Sequence, residues 1–194
     1  MSDLGNDISY LHCVAHQRRA GAPRSTRTKG AFHPGVKLES ERMLHSLKRH
    51  ILSTGDAVKR IEADCVAVRK GELEIYFGID GDIDQLVLPS LKRAKRKDEL
   101  WRTTCFELFI DDDDTYWEYN FSPSTEWAAY RFNGYRHGQQ AETKASVLHS
   151  EIHKGAKRLM MQIIAAFSPC RGIKRESFRL GLSAVIEQTN GCRS

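Results

Sequence analysis

Residues 98–136, DELWRTTCFELFIDDDDTYWEYNFSPSTEWAAYRFNGYR, decide the fold of this chain. They hold all three tryptophans, Trp101, Trp117 and Trp127, and most of the tyrosines of a sequence otherwise poor in aromatics. Apolar and polar residues alternate with the period of a strand. Across Thr103–Ile110, Phe106, Leu108 and Ile110 fall on one side and Cys105, Glu107 and Phe109 on the other. Four aspartates, Asp111 to Asp114, then break the pattern. Tyr116–Phe121 resumes it, setting Trp117, Tyr119 and Phe121 against Tyr116, Glu118 and Asn120. Ser122-Pro123-Ser124-Thr125 reads as a turn, because proline presets φ and the hydroxyls bond the local backbone. Trp127–Phe132 is a third strand, closed by the turn pair Asn133-Gly134. The expectation is a three-stranded antiparallel meander.

Outward from this meander the same period recurs. Val58–Val68 alternates Ile61, Ala63, Cys65 and Ala67 with charged neighbours, and after Gly71 the row Leu73, Ile75, Phe77 and Ile79 forms an inward face. A short strand is expected at Gln85–Leu88, ended by Pro89. Lys144–Glu151, Leu159–Phe167 and Phe178–Glu187 follow. About nine short strands with frequent turn signals mean an all-β fold, an antiparallel β-sandwich of the immunoglobulin or jelly-roll kind or a barrel. Leu38, Met43, Leu44, Leu47 and Ile51 have spacing compatible with a short helix or linker over residues 36–57. Residues 1–35 lack periodicity. They are rich in basic residues, glycine and proline, and are expected to be a disordered extension.

The chain has 194 residues and a formal net charge of +5, enough length for one domain with a real core. No apolar run reaches the roughly 18–20 residues that span a membrane. Five cysteines, widely spaced and without a C-x-x-C pair, argue against a disulfide framework or a zinc site, and the expected setting is cytoplasmic. The basic run Lys92–Lys97 could meet phosphate, but such runs are more often solvated loops. Asp111–Asp114 lacks the glycine-punctuated spacing of a calcium loop and reads as a hairpin tip, so no metal site is assigned.

The motifs LWRTTCFELFI, YWEYNFSPS and WAAYRFNGYR together resemble DOMON-like domains, relatives of the family 9 carbohydrate-binding modules. The match is dense over Leu100–Gly138 and thins to pattern level on either side. The resemblance implies a β-sandwich over residues 58–194 that binds a ligand, a sugar or haem. It also implies one further aromatic-bearing strand beyond Thr189, so the sandwich is expected to lack its C-terminal strand.

With the hairpin loop centred near Asp112–Asp113, Glu107 lies across from Glu118, Cys105 from Asn120 and Phe109 from Tyr116. Carboxylate and amide groups bond sugar hydroxyls in pairs, and flat rings pack on the C–H face of a pyranose. Trp127 and Arg131 extend the set if the second hairpin keeps the same parity, and Tyr135 and Arg136 follow on the next turn. The expected function is therefore non-enzymatic saccharide binding through Glu107, Glu118, Asn120, Trp127, Arg131, Tyr135 and Arg136, with no cofactor. A haem-binding domain using Met160 or Met161 with His149 or His153 is one alternative. A nucleic-acid binder using Lys92–Lys97 is another.

Overall fold

A computed structural model describes residues 13–14, 43–69, 71–111, 115–134, 137–167 and 179–192. They form eleven strands: β1 (Cys13–Val14), β2 (His45–Ser46), β3 (Val58–Arg69), β4 (Glu72–Gly81), β5 (Cys105–Asp111), β6 (Tyr116–Phe121), β7 (Trp127–Phe132), β8 (Gln140–Ala141), β9 (Ser146–Lys154), β10 (Arg158–Ala166) and β11 (Arg179–Val185). Three of these have only two residues, so eight longer strands carry the architecture. One sheet has the order β1-β11-β5-β6-β7-β8 and the other β2-β3-β4-β10-β9. All named pairings are antiparallel, and the two sheets stack as a β-sandwich.

Period-two alternation explains the stack. Leu73, Ile75, Phe77 and Ile79 of β4 meet Leu159, Met161, Ile163 and Ala165 of β10 in one inner row. Phe106, Leu108 and Ile110 of β5 face them, with Trp117, Tyr119 and Phe121 of β6 and Leu180 and Leu182 of β11. Rings join the two layers: Phe77 and Phe106 lie 4.8 Å apart, and Tyr119 meets Phe167 edge-on at 4.4 Å. Burying one such ring stabilises by about 1.5–3 kcal/mol, so this row dominates the fold. Gly71, at φ +78°, turns β3 into β4 in a conformation that side-chain-bearing residues avoid.

Two expectations are corrected. Among the described residues, 43–52 form no helix; His45 and Ser46 pair with Ala63 and Glu62 of β3, and Leu47 packs on the core. Met43, Ile51 and Leu52 stay exposed, so the apolar spacing there never had one face to bury. Gln85–Leu88 is not a strand. A single 3-10 turn, Ile83–Gln85, is followed by a lone bridge between Leu86 and Gln188, and Pro89 has no N–H with which to extend a ladder. Of residues 1–35 only Cys13 and Val14 are described. They pair with Leu180 and Arg179 at the edge of β11, and the rest of the expected extension lies outside the described residues.

Candidate functional site

Strands β5, β6 and β7 carry the expected site residues, and its carboxylates lie on the outer face of the larger sheet. The pairing of β5 with β6 sets Glu107 opposite Asn120 and Phe109 opposite Glu118, with Asp111 opposite Tyr116. The expected pairing of Glu107 with Glu118 is thus displaced by two residues. An even displacement preserves the face, so Cys105, Glu107, Glu118 and Asn120 still share one side of the sheet. Asn120 is wholly buried; its Nδ2 donates to Glu118 Oε1 at 2.8 Å, and its Oδ1 accepts from the Cys105 thiol at 3.7 Å. Glu107 is 3% exposed, and Glu118 is half-buried. Burial pushes the Cys105 thiol well up, and the negative charge of Glu107 adds to the effect.

Trp127 and Arg131 do not join this set. Trp127 pairs with Phe121 and Arg131 with Trp117, which are residues of the inner row. Trp127 packs against the main core and Arg131 is exposed at the far end of β7. Tyr135 and Arg136 lie outside the described residues. The residue that does join is Tyr130, directly opposite Glu118. It shares the parity of Ala128 and Phe132, a signal that the alternation of β7 contained. Glu118 therefore stands between Phe109 on one neighbouring strand and Tyr130 on the other, with Tyr116 two residues before it. Tyr116 stacks on Phe109 at 5.8 Å and meets Phe132 edge-on at 5.4 Å.

The basic run lies as a strap at the beginning of β7. Lys92 N–H donates to the Ser124 carbonyl at 2.9 Å and Lys97 N–H to the Trp127 carbonyl at 2.9 Å, while Trp127 N–H returns to the Lys95 carbonyl at 3.1 Å. The ammonium groups of Lys92, Lys95 and Lys97 converge on the carboxylate of Glu126, at 3.4, 3.7 and 3.7 Å. Glu126 is 3% exposed, and Ser124 Oγ donates to it at 3.2 Å. Burial alone would raise its carboxyl; the Ser124 hydroxyl and the cations of Lys92 and Lys97 outweigh burial and hold it below its ordinary value. The solvated loop expected here is in fact anchored, since a carboxylate 34 residues from Lys92 gathers its lysines.

The strap continues over the outer face. The Arg96 guanidinium sits 5.4 Å from the centre of the Tyr130 ring, and the Tyr130 hydroxyl donates to Asp98 Oδ1 at 2.7 Å. Hydrogen bonds from Arg96 and then Tyr130 hold the Asp98 carboxyl below its usual range, and burial with the Asp98 bond raises the Tyr130 phenol. Glu99, at φ +61°, redirects the chain into a 3-10 turn, Leu100–Arg102. That turn lays Leu100 and Trp101 against Cys105, Ala128, Tyr130 and Phe132, with the Trp101 ring edge-on to Tyr130 at 5.6 Å. Most of the face is thereby closed, and Glu118, Tyr116 and Trp101 are its part-exposed members.

The residues considered for haem do not fit it. Met161 is buried in the core at the centre of β10. Met160 and His153 are neighbours side by side on one sheet surface, and cannot bracket an iron from opposite sides. Glu151 takes His149 at 3.4 Å and His153 at 3.0 Å. Among the described residues, no group of three or more His, Cys, Asp or Glu is placed to hold a metal ion. Asp111 accepts from Arg179 at 2.8 Å, and Asp112–Asp114 lie outside the described residues. No described helix is long and apolar enough to cross a membrane.

No protein-family model and no curated protein matches the chain. Among solved structures it is similar to a Bacteroides uniformis protein titled "a putative carbohydrate-binding protein", with 7% identity and a TM-score of 0.47. The likeness covers 69% of this chain and 66% of that one, just under two thirds of its length. The resemblance to DOMON-like domains thus rests on the sequence motifs of the meander.

Proposed function

We propose that this β-sandwich binds a small polar ligand of the saccharide class and does not transform it. One observation carries the reading: Glu118, a half-buried carboxylate, is fixed by a wholly buried amide and flanked by Phe109, Tyr130 and Tyr116. A carboxylate held in one orientation accepts from ligand hydroxyls without losing side-chain freedom, and Tyr116, the part-exposed ring beside it, suits the C–H face of a sugar. Trp101, at the rim, supplies a further flat surface. A retaining glycosidase would require two accessible carboxylates about 5–5.5 Å apart. Glu107, the second carboxylate on this face, is buried and one register step from Glu118, which favours binding over hydrolysis. The nucleic-acid reading loses support because three lysines of the basic run already share an internal anion.

Glycan-array binding followed by calorimetry tests the reading. Glu118→Gln should remain folded and lose about 1.5–3 kcal/mol of binding free energy, the worth of a hydrogen bond to a charged group. Saccharide affinity equal to that of the parent, together with release of reducing sugar by the parent, would return the hydrolase.

A further inference from the structure

The two sheets end on four edge strands, and three of them, β1, β2 and β8, have only two residues each. The longer strands beside β2 and β8 are covered further. Leu47 N–H donates to the Ile61 carbonyl of β3 at 2.8 Å, and Glu142 N–H to the Ala129 carbonyl of β7 at 2.9 Å. The basic strap bonds β7 again at Trp127. Very short edge strands and covering loops are how sheets avoid pairing with other chains.

The fourth edge has no such protection. β9 is nine residues long and is bonded on one side only, to β10. Among the described residues, no backbone group outside β10 bonds to it. It contains no proline, and its single lysine, Lys154, sits at the last position and is drawn to Asp84 at 3.1 Å. One bulge, at Leu148, interrupts its ladder with β10. Leu148 is 55% exposed, and Val147 and Ile152, which pack toward the core, are only half-buried because nothing lies beside them. A long open strand with apolar side chains along it is a template for one more strand.

We propose that the occupant of this edge is β9 of a second copy of the chain, so that two five-stranded sheets become one continuous sheet. The strand is complementary to itself. A two-fold axis at Ser150, its middle residue, pairs two copies antiparallel over their full length and leaves both inner faces on the same side. In that register Glu151 of one copy stands opposite His149 of the other, once on each side of the axis. Ile152 meets the apolar bulge at Val147 and Leu148, and Ser150 faces its own copy. Glu151 already takes His149 at 3.4 Å and His153 at 3.0 Å within its own strand, so the carboxylate is placed among imidazoles and gains another. An axis at Glu151 would instead oppose two carboxylates, which is unfavourable in a cross-strand pair. The edge belongs to the other sheet from the saccharide face and does not depend on that reading.

Sedimentation velocity of the full chain over a micromolar concentration series tests this, and a monomer–dimer equilibrium is expected. His149→Glu sets carboxylate against carboxylate on both sides of the axis and should weaken dimerisation about tenfold or more. Adding Glu151→Lys to it makes the opposed charges opposite in sign again and should restore the dimer. Oxidation of Ser150→Cys should give a disulfide-linked dimer that the parent does not form, because this residue meets its own copy at the axis. A parent that stays monomeric throughout would overturn the proposal, whether or not an extended peptide of another protein binds the edge. Undiminished dimerisation of His149→Glu would also overturn it, as would a double variant no tighter than the single one. If His149→Glu fails to fold, the Ser150→Cys cross-link decides, and its absence overturns the interface.

Discussion

Replacing Glu126 by glutamine should unbalance the strap. The substitution keeps the size of the side chain and an oxygen for Ser124 Oγ, now 3.2 Å from the carboxylate, but removes the charge that three lysines share. At an effective dielectric of about 20, a single pair at roughly 3.5 Å amounts to about 5 kcal/mol before desolvation. The lysines are half exposed, at 47%, 64% and 51%, so solvent screening reduces each pair to about 1 kcal/mol or less. Three such pairs, with the mutual repulsion of the released ammonium groups, give an expected loss of about 2–3 kcal/mol, below the 3–5 kcal/mol of a fully buried broken pair. Removing Lys92 alone, as Lys92→Met, should cost under about 1 kcal/mol, because Lys95 and Lys97 still face the carboxylate. Urea unfolding at neutral pH measures both. The pH dependence follows from the depressed carboxyl: its stabilisation is complete above the unfolded value near 4.3 and is lost as pH falls through the lower folded value. The gap between parent and Glu126→Gln should therefore close in acid. Equal stability of the two at neutral pH, a gap that widens in acid, or a lysine variant as damaging as Glu126→Gln would each refute the reasoning.

Trp127→Ala should cost about 2–3 kcal/mol in chemical denaturation, less than the 3–5 kcal/mol of a fully buried ring, and leave saccharide affinity unchanged because the ring faces the core row. Gly81→Ala should abolish cooperative unfolding or lower stability by about 4 kcal/mol or more, since a Cβ there would overlap the Ala57 carbonyl; circular dichroism on heating reads this out. Thiol labelling followed by mass spectrometry should leave Cys105 unmodified until the chain unfolds, because burial and nearby Glu107 suppress its thiolate, while half-buried Cys192 reacts in the native state.

The meander was legible in the sequence almost residue by residue, because each of its strands buries one face and shows the alternation that results. Tyr116–Phe121 and Trp127–Phe132 match β6 and β7, and β5 starts two residues later than expected and ends one later. What failed was the register. It depends on where the aspartate loop closes, and nothing local to that run fixes its centre. The parity of Trp127 depended in turn on the five-residue turn before it, and this aromatic, read as a ligand platform, packs part-buried against the core. The basic run was opaque for another reason. Its acceptor, Glu126, is remote in sequence, and charge runs are ordinarily solvated.

The order of strands also bears on how the chain acquires its shape during synthesis. Three hairpin units, β3–β4, β5–β6–β7 and β9–β10, join neighbours in sequence and can close early. The two sheets, however, are completed by distant partners: β4 waits for β10, and β5 waits for β11. A ribosome must therefore release most of the chain before either sheet is whole. Until then the inner edges of β4 and β5 present unpaired backbone beside their most apolar rows. Pairings so far apart in sequence close slowly, which places this sandwich among folds most exposed to mispairing with other nascent chains. Its expression should respond more to the supply of chaperones and to growth at low temperature than its native stability would suggest.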